Sequence, residues 1–313
     1  MSKINRVPRS EKLPKIIVIL GPTASGKSDL GIKLAKKFDG EIISADSRQV
    51  YRGMNLGTGK VTQEEQKIIK HYLLDVANPR KIFTVSDFKK LGEKAIKEAL
   101  CKNKVPFIVG GTGFYIDALV KGLVLPEVPA NKNLRAKLEK MTAENLYKEL
   151  KKLDPNRAKT IDQKNKRRLV RSLEIIKTTG KPVPVLKELP RYTVLYLGIN
   201  PPKNILEKRI KLRLEKRLRH GMIKEVNKLL QSGVSKKRLY GFGLEYRQIS
   251  EYLASEKFKV KSIKNFNNSE YYQKLLRSII KYSKRQMTWF KRNKEIHWVK
   301  TQNESEKLIR KFI

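Results

Sequence analysis

The stretch Ile16-Ile-Val-Ile-Leu-Gly-Pro-Thr-Ala-Ser-Gly-Lys-Ser28 decides the fold prediction. Its aliphatic first part is rich in β-branched side chains, which is typical of a strand buried on both faces of a parallel sheet. The part from Gly21 to Ser28 fits the phosphate-loop pattern G-x-x-x-x-G-K-[ST], and apolar residues at helical spacing follow it. This order of strand, loop and helix predicts an anion-binding site where the first strand ends.

Each part of the phosphate loop offers phosphate a different interaction. Glycines let backbone N–H groups turn inward, and the helix N-terminus adds partial positive charge. Lys27 supplies a full charge, and Ser28 offers a hydroxyl as a ligand to Mg²⁺. The predicted phosphate-binding residues are Gly21, Pro22, Thr23, Ala24, Ser25, Gly26, Lys27 and Ser28. The pattern leaves open which molecule carries the phosphates, and a glycine-rich turn without a ligand is the alternative.

Further strands, separated by helical patterns, are predicted at 41–44, 105–109 and 194–199. Their alternation with helices predicts an α/β fold, a doubly wound parallel sheet on the phosphate-loop plan. Residues 1–125 form the first part of this core. From about 126 to 191 apolar residues recur at helical spacing only, which predicts an all-helical insertion domain. Residues 192–313 return to the core and end in a basic, helical C-terminal region.

Charge is the strongest feature of the composition. The chain has 71 Lys and Arg against 30 Asp and Glu, a net charge of +41 over 313 residues, which favours a polyanionic partner. A single cysteine rules out an internal disulfide and suits the reducing cytoplasm. No apolar run reaches the ~20 residues of a membrane span, and the basic first fifteen residues lack the apolar stretch of a secretory signal.

Two other segments are predicted at the carboxyl edge of the sheet, where ligands of open α/β folds bind. Asp46 comes two residues after the second strand and could hold Mg²⁺ or accept a proton, although a turn or helix cap explains it equally well. Gly110-Gly-Thr-Gly113 is a second glycine loop, with a tight packing turn as its alternative. Asp75 resembles the end of a Walker B strand, but its preceding apolar run is short and favours a structural role.

Basic residues concentrate at 164–171, 209–219 and 281–292. The last stretch interleaves cations with Trp289 and Phe290, a combination typical of contacts with an RNA backbone and exposed bases. A solvated helix face is the alternative for any one of these runs. Because the charge excess extends over the whole chain, we favour a nucleic-acid partner.

Several motifs occur in a fixed order along nearly the whole chain. After the phosphate loop they are Asp46-Ser-Arg-Gln-Val-Tyr51, Gly57-Thr-Gly-Lys60, His71-Tyr-Leu-Leu-Asp-Val76, Val109-Gly-Gly-Thr-Gly-Phe-Tyr115, Asn165-Lys-Arg-Arg-Leu-Val-Arg171, Thr179-Gly-Lys-Pro182 and Lys284-Arg-Gln-Met-Thr-Trp-Phe290. The series resembles the bacterial type of the tRNA dimethylallyltransferases, which prenylate N6 of the adenosine next to the anticodon.

The resemblance implies a role for each motif. The phosphate loop would bind the pyrophosphate of dimethylallyl pyrophosphate, with Mg²⁺ on Ser28. The catalytic residues would be Asp46 as general base, Thr23 beside donor and adenine, and Arg213 on the departing pyrophosphate. The tRNA anticodon stem-loop would contact Asp46, Ser47, Arg48, Gln49, Thr112, Arg135, Arg167, Arg168, Arg171 and Arg247. A cytoplasmic monomer without a membrane partner is expected.

Two segments depart from the family pattern. Gly59-Lys-Val61 stands where many relatives have Ala-Lys-Pro, which predicts a more flexible turn at the rim of the cleft. Gly243-Leu-Glu-Tyr-Arg247 stands where many have Gly-Tyr-Arg, so the RNA contacts there are open.

Two other functions remain: a P-loop kinase or ATPase acting on a small molecule, which leaves the charge unexplained, and a non-catalytic RNA-binding protein, which has no need of a phosphate loop.

Overall fold

The computed structural model describes residues 13–256 and 262–313. Residues 1–12, which make up most of the basic segment judged above not to be a signal, lie outside the described part. The chain forms two compact units, one of residues up to Gly122 together with Pro190–Ile313 and one of Leu123–Leu189. The insertion expected at 126–191 overlaps the second unit, whose limits differ by two or three residues.

A parallel sheet lies at the centre of the first unit. Its strands are β1 (Lys15–Leu20), β2 (Gly40–Ala45), β3 (His71–Tyr72), β4 (Val105–Gly110), β5 (Thr193–Gly198) and β6 (His297–Trp298). Their order is β3-β2-β4-β1-β5-β6, and all five pairings are parallel. The predicted α/β class and the four longer strands are therefore confirmed. The two-residue strands β3 and β6 were not predicted.

The helices of the first unit cover both faces of this sheet and extend beyond it. They are α1 (Lys27–Lys37), α2 (Gln63–Ile68), α3 (Val85–Cys101), α4 (Gly113–Val120), α9 (Lys203–Arg219), α10 (Met222–Gln231), α11 (Lys236–Phe242), α12 (Leu244–Ala254), α13 (Ile263–Asn267), α14 (Glu270–Phe290) and α15 (Gln302–Phe312). Numbers α5 to α8 belong to the second unit: α5 (Lys132–Lys140), α6 (Ala143–Leu153), α7 (Pro155–Thr160) and α8 (Lys166–Thr179).

Alternating side chains of β1 divide the core of the first unit in two. Ile16 and Val18 pack with Phe88 of α3 on one face, whereas Ile17 and Ile19 pack with α1 and α15 on the other. A strand with both faces covered carries apolar residues at every position, which explains the unbroken run at 16–20. Buried on both sides, β1 fixes where the phosphate loop begins.

Helices α9 to α14 share a separate apolar cluster, in which residues of α9 pack against Tyr246 and Ile249 of α12. In the second unit, Leu146 and Leu150 of α6 pack against Leu169 and Leu173 of α8. None of the helices in the described ranges is both long enough and apolar enough to cross a lipid bilayer.

Candidate functional site

The phosphate loop connects β1 to α1 in a conformation that needs its small residues. Ala24 and Gly26 have positive φ angles of 61° and 93°, and the Ser25 N–H donates to the Pro22 carbonyl at 3.3 Å. A Cβ on Gly21 would lie 2.6 Å from the Ile199 carbonyl oxygen, so only glycine fits there. The loop therefore has the tight turn that lets successive N–H groups face one anion.

Lys27 and Ser25 provide the polar groups of this turn that are suited to an anion. The Lys27 side chain is partly buried, and its ammonium group donates to the Pro22 carbonyl at 3.1 Å. Burial, and next the charge of Arg213, lower the pKa of Lys27 to about 8, although Asp46 opposes them. The Ser25 hydroxyl is buried and has no hydrogen-bond partner among the described residues, as expected of a group that a phosphate oxygen would satisfy.

An open cleft of about 910 Å³ lies in front of the loop. It is bounded by the loop, by the rim at 55–66 and by one face of α9. That face presents Arg209, Arg213 and Arg217 at four-residue spacing, so three guanidinium groups line one wall. Burial, and next the charge of Arg217, lower the pKa of Arg213 to about 10. The cleft is therefore strongly cationic.

Asp46 begins a turn beside the phosphate loop. Its Oδ1 accepts hydrogen bonds from the N–H groups of Arg48 at 2.8 Å and Gln49 at 3.3 Å, which is the capping role considered above. Its charge also acts on Lys27 and Arg213, where it opposes the lowering of each pKa. Asp46 is not one of the residues that line the cleft, yet its carboxylate and the anion-binding groups share one electrostatic neighbourhood.

The second glycine loop lies against the same edge. The Thr112 hydroxyl oxygen accepts from the Ser47 N–H at 3.1 Å, and the Thr112 N–H donates to the Ala45 carbonyl at 3.2 Å. These bonds join Thr112 to the turn that carries Asp46. A Cβ on Gly111 would lie 3.5 Å from the Lys27 ammonium nitrogen, so the two glycine loops meet at Lys27.

Gln286 of α14 joins the two loops, a role that the sequence analysis missed. Its side-chain oxygen accepts from the Thr23 N–H at 2.9 Å, and its amide group donates to the Gly111 carbonyl at 2.8 Å. The side chain is buried. The one signal in the sequence was an uncharged amide within a run of cations. Gln286 therefore fixes Thr23, a predicted catalytic residue, relative to the second loop.

The rim of the cleft at 55–60 is extensively hydrogen-bonded. Glu225 of α10 accepts from the N–H groups of Asn55, Leu56 and Gly57 at 2.7–3.0 Å. The Gln49 amide donates to the Gly59 carbonyl at 3.1 Å. Glycine suits position 59 because its φ is 62°, and the turn predicted to be flexible is held on both sides.

Asp75 has the structural role favoured from the sequence. Its Oδ1 lies 2.5 Å from the Lys60 ammonium group, which also donates to the Tyr51 carbonyl at 2.8 Å. The Lys60 side chain is almost fully buried, so Asp75 balances its charge and fixes the base of the rim.

The predicted RNA-binding arginines have different surroundings. Arg167 and Arg168 are exposed at the start of α8. Arg135 and Arg171, in contrast, hold the buried Glu174: Arg135 makes two bonds of 2.7 Å and Arg171 one of 2.5 Å. In the first unit, Arg48 lies 5.5 Å from the centre of the Phe242 ring and Arg247 lies 4.1 Å from that of the exposed Tyr240.

One interpretation of the sequence was wrong. Trp289 and Phe290 were expected as aromatics for exposed bases, but Phe290 is buried in the core and the Trp289 indole N–H donates to Asp117 at 2.8 Å. They pack α14 against α4, and a Cβ on Gly113 would collide with the indole. Within this charged helix, both aromatic residues pack against the core of the first unit.

The protein side chains near the phosphate loop could hold Mg²⁺ only together with a phosphate ligand. In the ranges that the structure describes, no three His, Cys, Asp or Glu side chains gather to hold a metal. Ser28 is half-buried, lines the cleft and lies beside the anion-binding turn. Mg²⁺ commonly takes one or two protein ligands and completes its shell with phosphate oxygens and water. The Ser28 hydroxyl suits this mode of binding.

Fold and site define an α/β protein of the phosphate-loop class with a cationic cleft and a neighbouring carboxylate. A model of the family described as IPP transferase matches residues 49–293. The protein named tRNA dimethylallyltransferase from Acetivibrio thermocellus is 38% identical over 309 residues, covering 95% of this chain and 96% of its own. The chain belongs to the IPP transferase family, which confirms the resemblance seen in the sequence.

Other comparisons agree. The protein named tRNA dimethylallyltransferase 2 from Syntrophotalea carbinolica is 40% identical over 291 residues, with 91% of this chain and 93% of its own covered. The crystal structure of the full-length tRNA isopentenylpyrophosphate transferase from Bacillus halodurans has 33% identity and a TM-score of 0.67, with 94% of each chain covered. The similarity therefore extends over both compact units.

Proposed function

We propose that this enzyme transfers a dimethylallyl group from dimethylallyl pyrophosphate to N6 of the adenosine next to the anticodon of tRNA, and releases pyrophosphate. The observation that carries the proposal is that the second glycine loop bonds to the turn of Asp46 and also meets Lys27 of the phosphate loop, in a chain of this family. The relatives named tRNA dimethylallyltransferase support the same reaction.

In the proposed reaction, a carbon–nitrogen bond forms as the carbon–oxygen bond to pyrophosphate breaks. The amine lone pair is delocalised into adenine, so the nitrogen must lose a proton as it attacks. Asp46 accepts that proton in its carboxylate form. Lys27, Arg213 and the N–H groups of the loop stabilise the negative charge that develops on the departing pyrophosphate. Bound Mg²⁺ would neutralise further phosphate charge next to Ser28.

Binding of tRNA explains the large charge excess. With about six phosphates neutralised, the logarithm of affinity should fall with a slope on the order of −4 to −5 against the logarithm of salt concentration. The target base must also leave the stacked anticodon loop, which costs a few kcal/mol. We assign backbone contacts first to the exposed Arg167 and Arg168. We further propose that the enzyme acts as a monomer in the cytoplasm.

Mass spectrometry of the RNA tests the function directly. Unmodified anticodon stem-loop RNA, dimethylallyl pyrophosphate and Mg²⁺ should give RNA heavier by one dimethylallyl unit. Transfer of the γ-phosphate of ATP to a small molecule, with no prenylated RNA, would instead favour the kinase alternative.

Asp46→Asn should lower kcat by about 10²- to 10⁴-fold. Asp39→Asn, at an exposed carboxylate paired with Lys104, is the control. Full activity of the Asp46 variant would exclude it as the base.

A further inference from the structure

Arg217 lies one helical turn after Arg213 on α9, and both line the cleft. The distance between their guanidinium groups follows from the contacts that a Cβ on Gly59 would make. A Cβ on Gly59 would lie 1.7 Å from Nη2 of Arg217 and 2.1 Å from Nη2 of Arg213, so these two nitrogens are at most 3.8 Å apart. Two like charges are therefore held side by side at the rim, and a side chain at position 59 would displace them.

The arginine pair is incompletely neutralised. Arg217 donates to Oε1 of Glu245 at 3.3 Å, and both side chains are nearly buried. Burial raises the pKa of Glu245, and Arg217 opposes that change. Lys27 and Arg213 add two more cations, whereas Asp46 is bonded to the N–H groups of its own turn and Glu225 to those of the rim. One directly bonded carboxylate thus faces three partly buried cations that line the cleft.

We propose that Arg217 is a second guanidinium ligand of the pyrophosphate and that Glu245 is the positioning residue that holds it ready. The inference rests on the proposed function and extends it. Lys27 and the loop N–H groups bind one phosphate, and the paired guanidiniums of Arg213 and Arg217 bind the other. The anion then supplies the missing counter-charge.

Glu245 lies in Gly243-Leu-Glu-Tyr-Arg247, the segment that departs from the commoner Gly-Tyr-Arg. This difference in sequence has a structural consequence. It brings a carboxylate to the start of α12, where it meets Arg217 of α9. Without it, Arg217 would be buried beside Arg213 with no bonded partner before the donor binds.

Calorimetric binding of inorganic pyrophosphate, with Mg²⁺ and without RNA, tests the assignment. Arg217→Met keeps an unbranched, flexible side chain without the charged guanidinium and should weaken binding about tenfold or more. The control Arg219→Met removes an exposed cation from the same helix and should stay within about twofold. Equal affinities of the two variants would overturn the proposal.

Thermal unfolding of a second variant keeps the test decisive if Arg217→Met does not fold. Glu245→Gln keeps a side-chain oxygen that can accept from Arg217 but removes the competing negative charge, so pyrophosphate should raise its Tm by more than it raises that of the wild type. Arg217→Met and Arg217→Lys should respond less than the wild type. A ligand-induced rise in Glu245→Gln no larger than in the wild type would contradict the link. Failure of the proposed function is distinct, because the wild type itself would then give no prenylated RNA, whatever its affinity for pyrophosphate.

Discussion

Replacing Glu174 by glutamine should destabilise the helical second unit. Glu174 is fully buried and accepts bonds from Arg135, Arg171 and the Asn131 N–H. Burial alone would raise its pKa, but these bonds outweigh burial and lower the pKa from 4.5 to about 2. At about 1.4 kcal/mol per factor of ten in proton affinity, the charged form contributes about 3 kcal/mol to folding at neutral pH.

The sign of the pH dependence follows from the lowered pKa. The contribution is complete above pH 4.5, the ordinary value, and is lost as the pH falls toward the folded-state value of about 2. Wild type and Glu174→Gln should therefore differ most near neutral pH and converge in acid. Hydrogen exchange of the α6 and α8 amides reports the opening of this unit at each pH.

Glu144→Gln is the matched control, because it removes the carboxylate of an exposed pair with Lys148 in the same unit. It should change the free energy of opening by less than about 1 kcal/mol. If Glu174→Gln exchanged no faster than this control, the argument from burial and bonding would be refuted. Arg135 and Arg171 would then be available for RNA rather than committed to Glu174.

Three further predictions concern the cleft. The pKa of Lys27 is lowered to about 8, so its charge is lost as the pH rises through 8. The affinity for the donor should then fall by up to about tenfold per pH unit, and an affinity that does not change with pH would contradict this. Gln286→Ala leaves the Thr23 N–H and the Gly111 carbonyl without their side-chain partner. Denaturant titrations should show a free energy of unfolding lower by about 2–6 kcal/mol. A loss of less than about 1 kcal/mol would refute this prediction. Gly59→Ala should raise the donor KM several-fold, whereas Gly241→Ala, with open space around it, should not.

Local patterns predicted the sheet and the phosphate loop well. The run at 16–20 and the glycines after it specify a buried strand and an anion-binding turn within a few residues, so no distant contact is needed to recognise them. Strands β3 and β6 were missed because each has only two residues, too few for any periodicity to appear. Their pairing depends on the neighbouring strands already in place.

Long-range partners could not be predicted. Arg135 and Arg171 look like RNA-binding cations in the sequence, and only the folded unit shows that both bond to Glu174. Arg217 and Glu245 are separated by 28 residues, so no spacing rule links them. The prediction that Trp289 and Phe290 contact exposed bases was wrong for a related reason. Composition does not tell which residues of a helix face the core.

The bond between Thr23 and Gln286 spans 263 residues of sequence. A chain emerging from the ribosome carries the complete phosphate loop early in synthesis, but the side chain that anchors it arrives only when α14 has been made. Until then the loop lacks its bond to the second glycine loop, so nascent enzyme should hold donor poorly. Competence for the reaction is thereby tied to synthesis of the chain at least as far as α14.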